Sequence, residues 1–367
     1  LRRRYPDKRI VVLVKETSGN ERGAIRLPTL AWRVRDKLAV LAARAGIAPM
    51  PRVRIAGEGR LGWDELFSRA AGVIDLHGYI LSHRWGWRLG WSWVMDLAVA
   101  RDFAAPYFVF PCSCGPLGFP FWQRVILFPW LRRYLPYARR IWVREASCGR
   151  DSLAPFHLRN LAYHPDVVLA SPCFTGADFM DAGRLIRPPD LPPRTVAVIP
   201  NQRVVERMAP GACQDLFHRI IGRLRERGRR VLLMTHDDKD GGHVRRLAAA
   251  WTSDPGVCVR ESGDYVPEIY AVLQQCEAVV SARYHALVHA LKSNVPVLAL
   301  SWSEKYKDLL GRFGWEAYVF EAQEGPAPER VLHGLDDLLD TSSDRRRTLA
   351  GGGAEGTAES LYAALET

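Results

Sequence analysis

Ser281-Ala282-Arg283-Tyr284-His285 sets a guanidinium and an imidazole two positions apart. An arginine holds phosphate or carboxylate with paired N–H donors, and a histidine can gain or give a proton near neutral pH. Side by side they suit a compact anion whose reaction needs a proton. The flanking residues say where such a pair would sit. Ala278-Val279-Val280-Ser281 carries no charge and reads as a buried strand of a parallel sheet. Residues 286–291 are good helix formers, Ser293-Asn294 stops the helix, and residues 295–300 are the next strand, with Lys305 and Lys307 just beyond. In an open α/β sheet the ligand crevice lies outside the carboxyl ends of the strands, where the following helix points its free N–H groups. The bland alternative is a surface arginine and a histidine packed on the sheet. Spacing alone leaves both open.

Other chemistry-bearing residues also fall at strand ends. Residues 72–76 read as a buried strand that reaches Asp75 and then His77-Gly78, where glycine permits close backbone approach. Ile141-Trp142-Val143 is a strand with Arg144-Glu145 at its end: a structural ion pair, or an arginine facing a cleft and braced by a carboxylate, or both. Thr235-His236-Asp237-Asp238-Lys239-Asp240 ends another strand and reads as a substrate-hydroxyl or metal site, or as a solvated acidic loop. Trp85, Trp87, Trp91 and Trp93 crowd into nine positions. They suit sugar stacking, a lipid interface or simply the core, and burial favours the core.

The elements around these residues alternate. In the first part, strands are expected at 9–14, 53–55, 72–76, 107–110, 141–143 and 166–170, and helices at 30–44, from 63, at 96–102 and at 121–134, the last kinked at Pro129. Residues 184–194 are rich in proline and read as a linker. Beyond it come strand 195–199, helix 213–227, strand 230–234, helix 243–250, strand 257–259 and helix 267–275. That alternation predicts a parallel sheet with right-handed crossovers. A last helix near 359–365 is expected to pack back across the domains. The fold class is therefore α/β: two parallel-sheet, Rossmann-like domains facing a cleft.

At 367 residues the chain exceeds one ordinary core. No apolar run approaches the roughly 18 residues that span a bilayer, and no signal peptide is visible. The chain opens on Leu1-Arg2-Arg3-Arg4, which reads as the end of a helix whose start is missing. A truncated amino end is thus expected. The net charge of +11 suits anionic partners. Zinc spacing, a helix-turn-helix pattern and RNA-binding aromatic motifs are not seen, which argues against nucleic acid. The arginines around Gly228 read as a solvated face. Seven scattered cysteines suit reduced thiols in a cytoplasm.

Ser281 to His285, followed by Ala290, Pro296 and Lys305, resembles the signature of the polysaccharide pyruvyl transferases. Earlier segments agree in order: residues 74–80 resemble the family's Asp-rich strand end, Gly115-Pro116 its Gly-Pro turn, and Val143-Arg144-Glu145 with Ser147 a shortened form of its Arg-Glu-x-x-Ser element. Asp166 in His164-Pro165-Asp166 sits where the family often has an aspartate. The resemblance runs to about Phe320. It implies a GT-B-like pair of domains: 1–183 on the acceptor side, linker 184–194, 195–330 on the donor side, and a helical tail 331–367. It also implies transfer of a pyruvyl group from phosphoenolpyruvate to two hydroxyls of a cell-surface or exopolysaccharide sugar, or of its lipid-linked precursor, giving a cyclic ketal. His285 then fits the acid that protonates the enol carbon, and Asp75 the group that orients or deprotonates the acceptor. Arg283 is the first anion clamp, with Arg144, Arg203 and Lys305 as further candidates. The scheme needs no cofactor and no metal. It places the protein in the cytoplasm, with peripheral association at the inner face of the membrane left open. The alternatives are a nucleotide-sugar glycosyltransferase on the same architecture, with Glu304 or Asp308 reading a ribose, and a non-catalytic polysaccharide-binding protein.

Overall fold

The structure, a computed structural model, describes residues 5, 7, 8, 10–14, 29–54, 60–146, 148–171, 190–261, 266–351 and 358–366. It divides into two units, residues 1–167 with 356–367, and residues 168–355. Most of the expected linker 184–194 lies outside the described residues, as do Leu1 to Arg4 and Ser147.

The first unit runs β1 (Val12–Val14), β2 (Thr29–Ala31), α1 (Val34–Arg44), β3 (Arg52–Arg54), β4 (Arg60–Gly62), α2 (Trp63–Ser68), β5 (Val73–Asp75), β6 (Tyr79–Leu81), α3 (Trp87–Asp102), β7 (Tyr107–Cys114), α4 (Phe121–Tyr134), β8 (Arg140–Val143), α5 (Cys148–Leu153) and β9 (Leu161–Tyr163). A parallel sheet follows the order β5-β7-β8-β9, and β6 joins β7 further along its length. All eight residues of β7 are buried, as a central parallel strand covered on both faces requires. Over one face lie α3 and α4, packing Trp93, Leu97, Leu127 and Leu131 against β7. Gly90 lets them close in: a Cβ there would sit 2.8 Å from Leu81 Cδ1 and 3.0 Å from Leu127 Cδ2. Asp166 to Ala170 is not the expected strand. Val167–Ala170 is a short helix, α6, because four apolar residues carry no period that separates the two, and β9 already forms the sheet edge.

In the second unit the chain runs β10 (Thr195–Ile199), α7 (Gln202–Val205), α8 (Ala212–Glu226), β11 (Arg230–Met234), α9 (Gly241–Ala249), β12 (Val257–Arg260), α10 (Val266–Leu273), β13 (Ala278–Ser281), α11 (Tyr284–Lys292), β14 (Val297–Ser301), α12 (Lys305–Gly311), β15 (Val319–Glu321), α13 (Pro328–Asp340) and α14 (Ser342–Gly351). The sheet is parallel throughout, in the order β12-β11-β10-β13-β14-β15. Strand order reverses between β10 and β13, and such a switch point opens a crevice at the strands' carboxyl ends. Helix α8 buries Cys213, Leu216, Phe217, Ile220, Ile221 and Leu224, a stripe of helical spacing. The arginines around Gly228 lie partly exposed, as a solvated face would, but three of them are paired. Arg223 pairs with Asp336 at 2.6 Å, Arg225 with Asp254 at 2.8 Å and Arg229 with Glu277 at 2.9 Å. The last helix, α15 (Ala358–Ala363), returns to the first unit and buries Leu361 against Phe108, Phe110 and Trp142.

Candidate functional site

At the switch point of the second unit, β10 leads into Asn201 and β13 into Arg283. The two strand ends are tied together: Asn201 Nδ2 donates to the Ala282 carbonyl at 2.9 Å, and Tyr306 Oη donates to the same oxygen at 2.7 Å. Asn201 Oδ1 accepts from Arg203 N, and Ser281 Oγ accepts from Arg283 N, each at 2.9 Å. Arg283 is the N-cap of α11, so His285 lies in that helix's first turn, and it is exposed.

Arg283 is not an open clamp. Its Nε and Nη2 donate to Asp240 at 2.6 and 2.7 Å, and Nη1 reaches Asp237 at 3.1 Å. Asp240 is fully buried and also accepts from Gln202 N at 3.1 Å. The loop 235–240 is therefore no solvated acidic loop; two of its carboxylates aim the guanidinium. Three of its five N–H groups are committed, leaving two for a ligand among the described residues. The Arg283 pKa is raised: burial works against the cation, and the Asp240 carboxylate outweighs it. Beside it, burial pushes the His236 pKa down to about 3, with His289, His285 and Arg283 adding repulsion. His236 is thus a neutral imidazole at neutral pH, stacked 5.9 Å from His289, and its Nε2 is buried without a hydrogen-bond partner among the described residues.

Lys305 is nearly buried in an aromatic cage, its Nζ 4.6 Å from the Trp302 ring centre and 4.8 Å from that of Tyr284. Ring faces hold an ammonium without neutralising it. Arg203 is about half-exposed and lies 3.5 Å from Glu206. The second unit thus carries Arg283, His285, Arg203 and Lys305 at the starts of the helices that follow β10, β13 and β14.

The other two expected residues lie at strand ends of the first unit. Arg144 is enclosed, its side chain 3% exposed. It donates to Asp166 at 2.7 Å, to Ser113 at 2.7 Å and to Glu145 at 3.3 Å. An ion pair is present, and its shorter arm goes to Asp166 rather than to the neighbouring Glu145. A Cβ on Gly78 would lie 4.0 Å from Nη1, an ordinary contact, so the arginine's placement does not depend on glycine there. The Gly115-Pro116 bond is cis. Asp75 is also enclosed, 1% exposed, and accepts from Tyr107 Oη at 2.8 Å and from His77 N at 2.9 Å.

The group that Asp75 presents to solvent is His77. Its Nδ1 lies 2.5 Å from Asp75 Oδ1, and its ring is half-exposed. Burial pushes the Asp75 pKa up, but the bonds from His77 and Tyr107 outweigh it and hold the carboxyl below its usual range. In return Asp75 raises the His77 pKa, against the effect of burial. A buried carboxylate that orients a half-open imidazole is an arrangement that can take up or release a proton. Sequence reasoning fixed on Asp75 and passed over His77, although Asp-x-His at a strand end was the available signal. Residues 235–240 stand out in the sequence as a strand-end loop, but the link of Asp240 to Arg283 does not, because it spans the fold. Among the described residues, no group of three or more His, Cys, Asp or Glu side chains is placed to hold a metal ion, and no helix is long and apolar enough to cross a membrane.

A sequence model of one family, polysaccharide pyruvyl transferase, matches residues 1–304. Among curated proteins no relative matches. Of solved structures, a glycosyltransferase from Rickettsia africae ESF-5 is similar with TM-score 0.54 and 10% identity, over 99% of this chain and 91% of that one. MnaA of S. aureus, solved with UDP, is similar with TM-score 0.55 and 10% identity, over 98% and 94%. At such identity the likeness speaks for fold alone, and the fold class is α/β and GT-B-like.

Proposed function

The chain belongs to the polysaccharide pyruvyl transferase family, and on that premise we propose that it moves a pyruvyl group from phosphoenolpyruvate onto two hydroxyls of one sugar. The product is a cyclic ketal on a cell-surface or exopolysaccharide unit, or on its lipid-linked precursor. The observation that carries this reading is the aimed Arg283 beside His285 at the mouth of the switch point.

The chemistry is an addition followed by a displacement. A proton goes to the CH₂ carbon of the donor, and the first hydroxyl bonds to the carbon that becomes cationic. The second hydroxyl then replaces phosphate at that carbon. Of the two hydroxyl protons, one is balanced by the new methyl group and the other leaves with phosphate. His285 supplies the proton to carbon. Arg283 directs its two remaining N–H groups at the donor's carboxylate or phosphate, and Lys305 and Arg203 add charge. Lys305 suits this role because the ring faces of its aromatic cage hold the ammonium at a fixed place. The acceptor is assigned to the first unit, where His77, oriented by Asp75, takes a hydroxyl proton. Arg144 holds Ser113, Glu145 and Asp166 in place there.

The test is transfer of labelled pyruvyl carbon from phosphoenolpyruvate to an oligosaccharide acceptor, beside thermal shifts with phosphoenolpyruvate and with a panel of nucleotide sugars. A rise in melting temperature with phosphoenolpyruvate, and label in an acid-labile ketal, are the expected results. Stabilisation by a nucleotide sugar alone, with no label transferred, would overturn the reading in favour of a glycosyltransferase.

A further inference from the structure

Helix α4 is apolar nearly all the way round. Its inner face, Leu127, Phe128 and Leu131, is buried. Its outer face is open: Phe121 is 80% exposed, Trp122 53%, Val125 55%, Ile126 42% and Trp130 43%. At about 100° per residue those five positions share one half of the helix, with Pro129 among them. A helix apolar on every side belongs in a core or in a non-aqueous surround, and this one has core on one side only. Helix α3 widens the patch. Trp87 meets Trp122 edge-on at 5.9 Å, and Trp91 meets Trp130 at 5.5 Å.

Charge says what covers it. From Phe103 to Arg144 the sequence has six arginines and no Asp, Glu or Lys. Arg124, Arg132 and Arg133 on α4 are exposed, as is Arg88 on α3. We propose that this face docks on an anionic lipid bilayer, with α4 lying in the plane of the headgroups. Its aromatic and branched side chains enter the acyl boundary, and Arg132 and Arg133 meet lipid phosphates at the helix end. Tryptophan suits that depth because its ring is apolar and its N–H is not. Fourteen residues make a helix of about 21 Å, shorter than the roughly 30 Å hydrocarbon layer, so α4 lies on the membrane rather than across it. A second copy of the chain fits less well. A two-fold contact would set the same arginines against each other with no carboxylate in the segment to offset them. The proposal stands on α4 and not on the group transferred.

The experiment sediments the full chain with vesicles of phosphatidylcholine, and of phosphatidylcholine mixed with phosphatidylglycerol. Light scattering is run in parallel without lipid. The parent should bind the mixed vesicles, and brominated lipid should quench its tryptophan emission. Trp122→Ser with Ile126→Ser should weaken binding at least about tenfold, through loss of two inserted side chains. Arg132→Gln with Arg133→Gln should remove most of the preference for anionic lipid. Both pairs are on the surface, so an unchanged circular-dichroism melt keeps the comparison valid. Three results would overturn the proposal: no binding to either vesicle, binding that ignores the apolar pair, or a lipid-free dimer that the apolar pair dissociates.

Discussion

His285 and His77 are asked to do opposite things, and each role can be tested at one atom. His285→Gln keeps a hydrogen bond but cannot deliver a proton. At saturating donor its turnover should fall by roughly 10² to 10⁴, with donor affinity nearly unchanged. Retention of more than about a tenth of the parent rate would leave His285 a binding role only. Arg283→Lys keeps the charge but gives up the fork that spans Asp240 and the ligand, so calorimetry should show donor affinity lower by about 1.5 to 3 kcal/mol. The Asp75–His77 pair makes a pH prediction. With its folded pKa lowered, Asp75 contributes stability that is present above the usual carboxylate value and lost as pH falls through the lowered one. With its folded pKa raised, His77 contributes stability that is full below about 6.5 and lost as pH rises through the raised one. Melting temperature should therefore decline on the alkaline side of that value, and His77→Gln should flatten the decline. Identical slopes in parent and variant between about pH 6 and 9 would mean that the pair is not linked to folding.

At the scale of elements, α3, α4 and β6 meet where one missing Cβ lets them. Gly90→Val adds branches into Leu81 and Leu127, whose side chains are 0% exposed. Overpacking of this kind costs about 1 to 3 kcal/mol, so urea denaturation should shift its midpoint without changing its slope. A variant as stable as the parent would show that the two leucines can turn aside. Much of this scaffold is legible in the sequence: strands 195–199 and 278–281 and helix 121–134 have the limits that their apolar runs, Gly and Pro suggest. The three-residue strands β6 and β9 are not, since so few residues cannot show a period of two. Helix α3 starts at Trp87 rather than near Asp96, because its tryptophans hide a helical stripe under an even hydrophobicity. In the candidate site, Arg283 and His285 stand out by the family signature they belong to, more than by spacing. Asp240, which aims Arg283, lies 43 positions away and comes near only once β11 and β13 flank β10.

At the scale of the whole chain, the last helix belongs to the first sheet. Leu361 is completely buried with Phe108, Phe110 and Trp142, and Ile74, Ala162 and Leu365 pack round that cluster. Ser360 Oγ lies 3.1 Å from His164 Nε2 on the segment that follows β9. Thus one face of the β5-β7-β8 sheet, beneath Asp75 and Arg144, is sealed by residues more than two hundred positions downstream. The α3–α4 layer covers the other face, and without α15 the rings of Phe108, Phe110 and Trp142 would meet water. Leu361→Ala leaves the backbone in place and removes a buried isobutyl group, which costs about 2 to 5 kcal/mol depending on how far the site collapses. Trp142 sits in the same cluster, so its emission should shift red at a lower urea concentration than in the parent. The strand ends rest on that sheet, so label transfer should become heat-labile over the same range. Phosphoenolpyruvate affinity, assigned to the second unit, should hold at temperatures where the variant is still folded. Parent-like stability in Leu361→Ala would mean that α15 is not a structural part of the first sheet. Lost donor affinity with no loss of stability would instead mean that the donor role belongs elsewhere in the chain.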